Sequence, residues 1–322
     1  MFWLQTALEV LAAIGLDLLL GDPRWFPHPV RIIGRYARGL ARELRPRIIN
    51  QKVAGIVMAA AIVIGTYVAV WLGVQIADQF NSLLGTIVRI FLIYTAISIR
   101  DLAREAMAVQ RKLLRDTLPA ARQQVSRIVG RDTVALSRTE VAQAAVESVA
   151  ESTVDGIISP LFYAFIGGAP LALAFKAVST LDSMFGYRTP GLREFGWASA
   201  RLDDIANFIP ARLSVLAITV GTLICGRRWV RAFIVAIRDR RKHPSPNAGI
   251  PEAAFAGALG VSLGGPSTYG GSVVNRPRLG DPLREVRVED ISAACMISIA
   301  SALVFALPVV ALMIAIPLWR AA

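Results

Sequence analysis

The chain has 322 residues, is 55% hydrophobic and only 18% charged, and carries a net charge of +12. Its mean hydropathy is +0.53. These values exclude an ordinary soluble domain and indicate an all-α, polytopic integral membrane protein whose excess Lys and Arg mark orienting loops. No basic run is interleaved with aromatics, so nucleic acid is not an expected partner. Cys225 and Cys295 sit in apolar stretches without metal spacing and read as inert thiols.

The first apolar run, 4–20, ends in Gly21-Asp22-Pro23 with no Lys or Arg before Arg24. It reads as a retained span, N-terminus outside, with Asp17 turned toward a bundle interior or a wet cavity and Glu9 either turned the same way or set near an interface. Residues 22–52 hold eight basic and two acidic side chains, a cytoplasmic pattern. Three prolines stiffen its start; Trp25 and Phe26 suit the membrane interface, and His28 and Arg31 suit a ligand contact or a helix cap. Residues 53–77 and 83–99 read as spans, the second despite Arg89, joined by a loop outside.

Residues 100–138, with nine basic and four acidic side chains, read as cytoplasmic amphipathic helices. Ser137-Arg138-Thr139-Glu140 matches a capping box. The helix it starts carries Glu140, Glu147, Glu151 and Asp155 on one stripe, with no Lys or Arg on the helix to relieve it. Gly156 and Pro160 are expected to end its regular part. The apolar stretch 157–181 is broken by Pro160, Gly167-Gly168 and Pro170, as in helices that line a cavity. Lys176 near its end needs a partner, with Asp182 or a stripe carboxylate suited to it.

Farther on, Asp203, Asp204 and Asn207 share a helical face. Residues 206–225 form a span containing Pro210 and Arg212. Residues 227–242 hold seven basic side chains and one acidic, with Trp229, Phe233 and Ile237 on one side. The stretch 243–271 is rich in Gly, Pro and small residues; its apolar middle, 253–263, is too short to span and reads as re-entrant or core. The last span covers 291–319. The whole reads as one membrane domain, 1–322, of five or six spans with broken and interfacial helices. Cytoplasmic amphipathic loops fall near 21–52, 100–155 and 226–290.

No phosphate-binding Walker loop, dinucleotide fingerprint, nucleophile elbow or zincin helix is present. What remains is a set of carboxylates and amides beside Gly/Pro turns, suited to Mg²⁺ with phosphates or to an amine. Several stretches then carry a resemblance: GDPRWFPHPVRIIGR at 21–35, GRDT at 130–133, AAVESVAESTVDGIISPLFY at 144–163, KAVSTLDSMFGY at 176–187, FGWASARLDDIANFIPAR at 195–212 and HPSPNAGIPEAAFAGALGVSLGGPSTYGG at 243–271. In this order they resemble the CobD/CbiB family of cobalamin-biosynthesis membrane proteins, the adenosylcobinamide-phosphate synthases. Ser152 and Ser179 depart from the family pattern, which has Asn there.

The resemblance implies amide formation between a carboxylate of (adenosyl)cobyric acid and (R)-1-aminopropan-2-ol or its phosphate. ATP is the implied energy source and Mg²⁺ the implied cofactor. The implied setting is the cell (inner) membrane, with other late cobalamin-pathway enzymes as potential partners. Glu147, Glu151, Asp155, Asp203 and Asp204 are the expected catalytic carboxylates, with Glu147, Asp155 and Asp203 as Mg²⁺ ligands. His28, Arg31, Lys176, Asp182, Arg201, Asn207, Arg212, His243, Ser245, Asn247, Glu252 and Tyr269 are the expected substrate contacts, the last four beside a glycine-rich loop that closes on ligand. Two other readings stand beside this one. Asp-Asp-x-x-Asn at 203–207 is similar to one motif of Mg²⁺-dependent membrane prenyl or phosphoryl transferases, and broken helices with buried charge also suit an AmpE-like sensor or a transporter.

Overall fold

The computed structural model describes residues 2–22, 28–186 and 191–321. Trp25, Phe26 and Tyr187, named above, lie outside them. The chain is a series of helices interrupted by one hairpin: α1 (Phe2–Leu20), α2 (Pro29–Arg47), α3 (Gln51–Phe80), α4 (Ser82–Ala96), α5 (Ile99–Arg115), α6 (Leu118–Val125), α7 (Arg138–Thr153), α8 (Ser159–Phe185), α9 (Trp197–Ala206), α10 (Phe208–Ile224), α11 (Trp229–Asp239), α12 (Gly249–Leu259), β1 (Leu263–Tyr269), β2 (Ser272–Leu279) and α13 (Glu289–Ala321). Among the described residues five helical runs, Trp3–Leu20, Gln51–Phe80, Ser82–Arg115, Arg138–Phe185 and Glu289–Ala315, are long and apolar enough to cross a membrane, or six if α9 and α10 count as one broken span. The all-α membrane architecture expected from composition is what folds.

Local sequence explains the boundaries. Asn50 caps α3 by accepting from the N–H groups of Lys52 and Val53, and Asn81 caps α4 by accepting from Leu83. The outside loop expected between these helices shrinks to Asn81 alone, because α3 continues to Phe80. Ser137 and Glu140 form the expected capping box on α7. Between α7 and α8 the helix does not stop at Gly156 and Pro160. It widens into a π-helical turn, Val154–Ile158, and Pro160 follows in the first turn of α8, where its missing N–H is tolerated. The break falls instead at Gly167 and Gly168, whose φ/ψ of −140°/21° and 64°/−155° are not helical.

Two compact units form. The first comprises 1–98, 159–207 and 308–322. Its core gathers Ala37, Ala54, Met58, Leu181, Phe185 and Phe195 from α2, α3, α8 and the segment before α9. Within it Arg89 donates to Glu9 and to Asp78, each at 2.6 Å, which offsets the cost of burying charge in a span. Glu9, 3% exposed, turns to the bundle interior.

The second unit comprises 99–158 and 208–307. Its core is rich in small residues, Ala142, Ala145, Ala232, Ala236, Ala254 and Ala256 among them, which lets helices approach closely. All eleven residues of α12 are buried, so the short apolar segment of 253–263 is a core helix. The glycine-rich stretch that follows is not a loop. It is an antiparallel hairpin that pairs Tyr269 with Ser272 and Gly265 with Arg276, with a bulge between Leu263 and Gly265. Gly270 and Gly271, at φ 55° and 80°, make the two-residue turn that only such residues allow.

Candidate functional site

In the second unit, α7, α12, β2 and the segments before α7 and α12 bring a set of charged side chains together. Glu147 on α7 is its hub and is 2% exposed. One carboxylate oxygen accepts from the backbone N–H of Gly264 at 2.6 Å and from Gln143 Nε2 at 2.8 Å. The other accepts from Arg131 Nη2 and lies 3.7 Å from Arg276 Nη1. Gln143 also donates to the carbonyl of Gly264 at 2.7 Å, so α7 grips the bulged start of β1 through two side chains.

The relief that the acidic stripe lacked on its own helix thus comes from outside it. Arg131 belongs to the GRDT segment, which docks on the hairpin. The backbone N–H of Asp132 donates to the carbonyl of Thr268, and its carboxylate accepts from Gly271 N–H, both at 2.8 Å. Arg276 reaches the cluster from β2. Its flanking residues are exposed, while its guanidinium turns inward and donates to both oxygens of Glu252 at 2.8 and 3.0 Å. His243 Nε2 lies 2.9 Å from Arg276 Nη2, and His243 Nδ1 accepts from Ser245 N–H.

Two buried carboxylates, Glu147 and Glu252, and the exposed Glu151 face two guanidiniums, which leaves one negative charge over. A retained proton removes it. Burial, then the neighbouring Glu147 and Glu151, push Glu252 up to about 8, although Arg276 works against this. Burial and Arg276 push His243 down to about 4, so the imidazole is neutral. Burial alone would lower Arg276, but Glu252 and Glu147 outweigh it and hold the guanidinium above its ordinary range.

The rest of the stripe divides by role. Glu140 is spent on the capping box. Glu151 is exposed, lies in the field of Arg276, Glu147 and Arg131, and makes no hydrogen bond among the described residues. It is the open end of the cluster. Asp155 is half-buried in the π-helical turn.

The other expected residues fall in three places. Ser245 accepts from the N–H groups of Asn247 and Ala248 and shapes the entry to α12. Arg212 donates to Asn247 at 3.3 Å and stacks over Phe208, so Arg212 and Asn247 brace this entry. Tyr269 ends β1 and raises the basicity of Arg276 by proximity.

In the first unit, Asn207 donates to Asp203 at 3.0 Å and accepts from Ser159 at 2.6 Å. Arg201 pairs with Asp204 at 3.3 Å. Arg201 and Asp204 line a cavity of about 310 Å³ with Arg193 and Trp197. Lys176 and Asp182 are half-buried on α8. His28 caps α2 by accepting from Val30 and sits 3.3 Å from Asp22, which is the capping role, and Arg31 is exposed on the first turn of α2.

Among the described residues no three His, Cys, Asp or Glu side chains are placed to hold a metal ion. The oxygens of Glu147 already accept three hydrogen bonds and lie beside a second guanidinium, so a cation there would have to displace one of them. Arg131, Gln143 and Arg276 were not singled out from the sequence. The signal for Arg276 was present in Gly270-Gly271 followed by Ser-Val-Val-Asn-Arg, a two-residue turn before a strand.

The description "CobD/Cbib protein" belongs to the family whose model matches residues 10–298. A cobalamin biosynthesis protein CobD from Geobacter metallireducens is 50% identical over 275 residues, 85% of this chain and 86% of the relative. One from Klebsiella pneumoniae is 46% identical and covers 94% of this chain and 96% of its own. A cobalamin biosynthesis protein CbiB from Salmonella typhimurium is 43% identical, covering 95% and 98%. No solved structure matches the chain. The chain belongs to the CobD/CbiB family of cobalamin-biosynthesis proteins.

Proposed function

We propose that the chain forms the amide bond between a carboxylate of a corrinoid, (adenosyl)cobyric acid, and aminopropanol or its phosphate, with Mg-ATP as the activating substrate. The observation that carries this reading is Glu151, an exposed carboxylate without a hydrogen bond at the mouth of a buried ion cluster, in a chain of this family. A carboxylate does not condense with an amine at neutral pH. Transfer of the γ-phosphoryl group of ATP to the corrin carboxylate gives an acyl phosphate and ADP. The amine then attacks the acyl carbon, phosphate leaves, and the amine proton passes to a base.

In this reading Glu151 binds the substrate ammonium and takes its proton. The Glu147–Arg131–Arg276 network fixes α7 so that Glu151 and Asp155 face the reactants. Arg276 and Arg131 lend positive charge where phosphate and carboxylate gather. Mg²⁺ enters with the nucleotide, as an ion on its phosphates with one or two carboxylates beside it, rather than as a resident ion. Asp203, Asp204 and Asn207 are a second polar set whose ligand this reading leaves to experiment.

The test is direct. Membranes containing the chain are given cobyric acid, aminopropanol phosphate and Mg-ATP, and corrin products are followed by mass spectrometry. An amide-linked product that depends on ATP and on the amine supports the reading. No such product from folded protein, with either amine form, overturns it.

A further inference from the structure

The first unit holds a second concentration of charge that the proposed reaction does not use. Arg38, Arg42 and Arg45 lie at steps of four and three along α2, which puts them on one side of the helix. With Gln51 and Phe185 they line an open cavity of about 620 Å³ that contains no carboxylate. Arg45 is held in place: its Nη2 donates to the carbonyl of Gly191 at 2.8 Å, and its guanidinium sits over the Phe195 ring at 5.3 Å. Arg38 and Arg42 make no hydrogen bond or ion pair among the described residues. The one acidic residue on α2, Glu43, is engaged with Arg47 at 3.2 Å.

Three like charges at helical spacing repel one another, and among the described residues no carboxylate pairs with Arg38 or Arg42. A guanidinium presents a planar fork that matches phosphate oxygens two at a time. A cavity of this size takes a phosphate with a small organic group attached. Phe185 and the stem of Gln51 give that group an apolar wall.

We infer that the Arg38–Arg42–Arg45 cleft is a binding site for a phosphate ester, distinct from the Glu147 cluster. Two sources carry that chemistry: the headgroup of an anionic phospholipid, which α2 could meet at a membrane surface, and a small soluble phosphate monoester. Arg45 anchors the site and Arg38 and Arg42 close on the ligand.

The experiment uses the full chain in two settings, with the double variant R38Q/R42Q beside wild type. In detergent, glycerol phosphate and inorganic phosphate are titrated and binding is followed by calorimetry. In lipid nanodiscs, the thermal midpoint is compared between phosphatidylcholine alone and phosphatidylcholine mixed with phosphatidylglycerol. Losing two charge-assisted contacts should weaken binding about 100-fold, roughly tenfold for each guanidinium. Saturable binding of glycerol phosphate to wild type, lost in the variant, identifies a soluble ligand. Stabilisation by phosphatidylglycerol, lost in the variant, identifies a lipid. Arg47→Gln on the same helix should change neither, because Arg47 does not line the cleft. Equal responses of wild type and R38Q/R42Q in both settings, or an R47Q loss as large as theirs, overturn the site and point to a diffuse surface field. Should the double variant fail to fold, R42Q alone carries the same comparison with a tenfold expectation.

Discussion

The backbone N–H of Gly264 donates to Glu147 Oε1 at 2.6 Å, joining β1 to α7 across 117 residues of chain. This contact explains why a glycine is needed at that point. Its φ is 84°, and a Cβ built there would lie 2.3 Å from the carbonyl oxygen of Pro277 on the partner strand. The bulge at the start of the hairpin therefore exists so that a main-chain donor can face a buried carboxylate.

Gly264→Ala should separate the two strands and withdraw that donor. A strained left-handed backbone costs about 1–3 kcal/mol, and the steric overlap adds to it. The expected outcome is a lowered thermal midpoint together with rapid tryptic cleavage after Arg278, which the paired hairpin resists. A variant cut no faster than wild type would mean that the hairpin does not depend on this glycine.

Glu147 and Glu151 are one helical turn apart and should behave oppositely. Glu147→Ala leaves Arg131 and Arg276 facing each other with one carboxylate fewer. Breaking a buried pair in this way costs about 3–5 kcal/mol, so the protein should be lost from membranes or unfold early. Glu151→Gln removes an exposed charge that makes no hydrogen bond. Its midpoint should stay within about 0.5 kcal/mol of wild type, while amide formation falls by about 10²-fold or more. Equal effects of the two changes on stability would remove the distinction drawn between hub and open end.

Much of this was legible in the residues, and what was not had a physical reason. Spans and caps follow from rules local to one helix: apolar length, and a Ser or Asn before a helix. The kink at Gly167-Gly168 was equally local. The stripe from Glu140 to Asp155 was visible as an imbalance that its own helix does not relieve. The cations that relieve it were hidden because Arg131 and Arg276 arrive from segments 16 residues before Glu147 and in a strand far after it. A chain so helical also made the hairpin easy to read as a loop, although Gly270-Gly271 signalled it. His28 was ambiguous between ligand and cap for a similar reason, since either role needs only a free imidazole nitrogen near a helix start.

In the first unit, Asn207 is 1% exposed and links Ser159 to Asp203. Asn207→Ala leaves the Ser159 hydroxyl without its acceptor and removes a donor from Asp203, at about 1–3 kcal/mol for a buried polar group left unmade. Asn207→Asp should be worse, since it sets a second carboxylate 3.0 Å from Asp203 Oδ2 where a donor had been. Thermal midpoints of the two variants, measured side by side, check the order. A more stable Asp variant would show that this position holds a proton or a cation rather than an amide donor.

The Glu147 cluster should also set how stability changes with pH. Glu252 is raised in the fold from an ordinary 4.5 to about 8, so its contribution is full below 4.5 and is lost as pH rises toward 8. His243 is lowered from 6.5 to about 4, so its contribution is full above 6.5 and is lost as pH falls toward 4. Between about 4.5 and 6.5 the two slopes oppose each other and stability should be nearly level. From 6.5 to 8 only the Glu252 proton remains to be lost, and stability should fall by up to about 1.4 kcal/mol per pH unit. Glu252→Gln keeps an acceptor for Arg276 without a titrating proton, so its stability should no longer fall in that window. Thermal midpoints at pH 6.5 and pH 8 decide the matter. A wild-type midpoint that holds steady over this interval, or a Glu252→Gln midpoint that falls as steeply as wild type, would place the extra proton on some other group than Glu252.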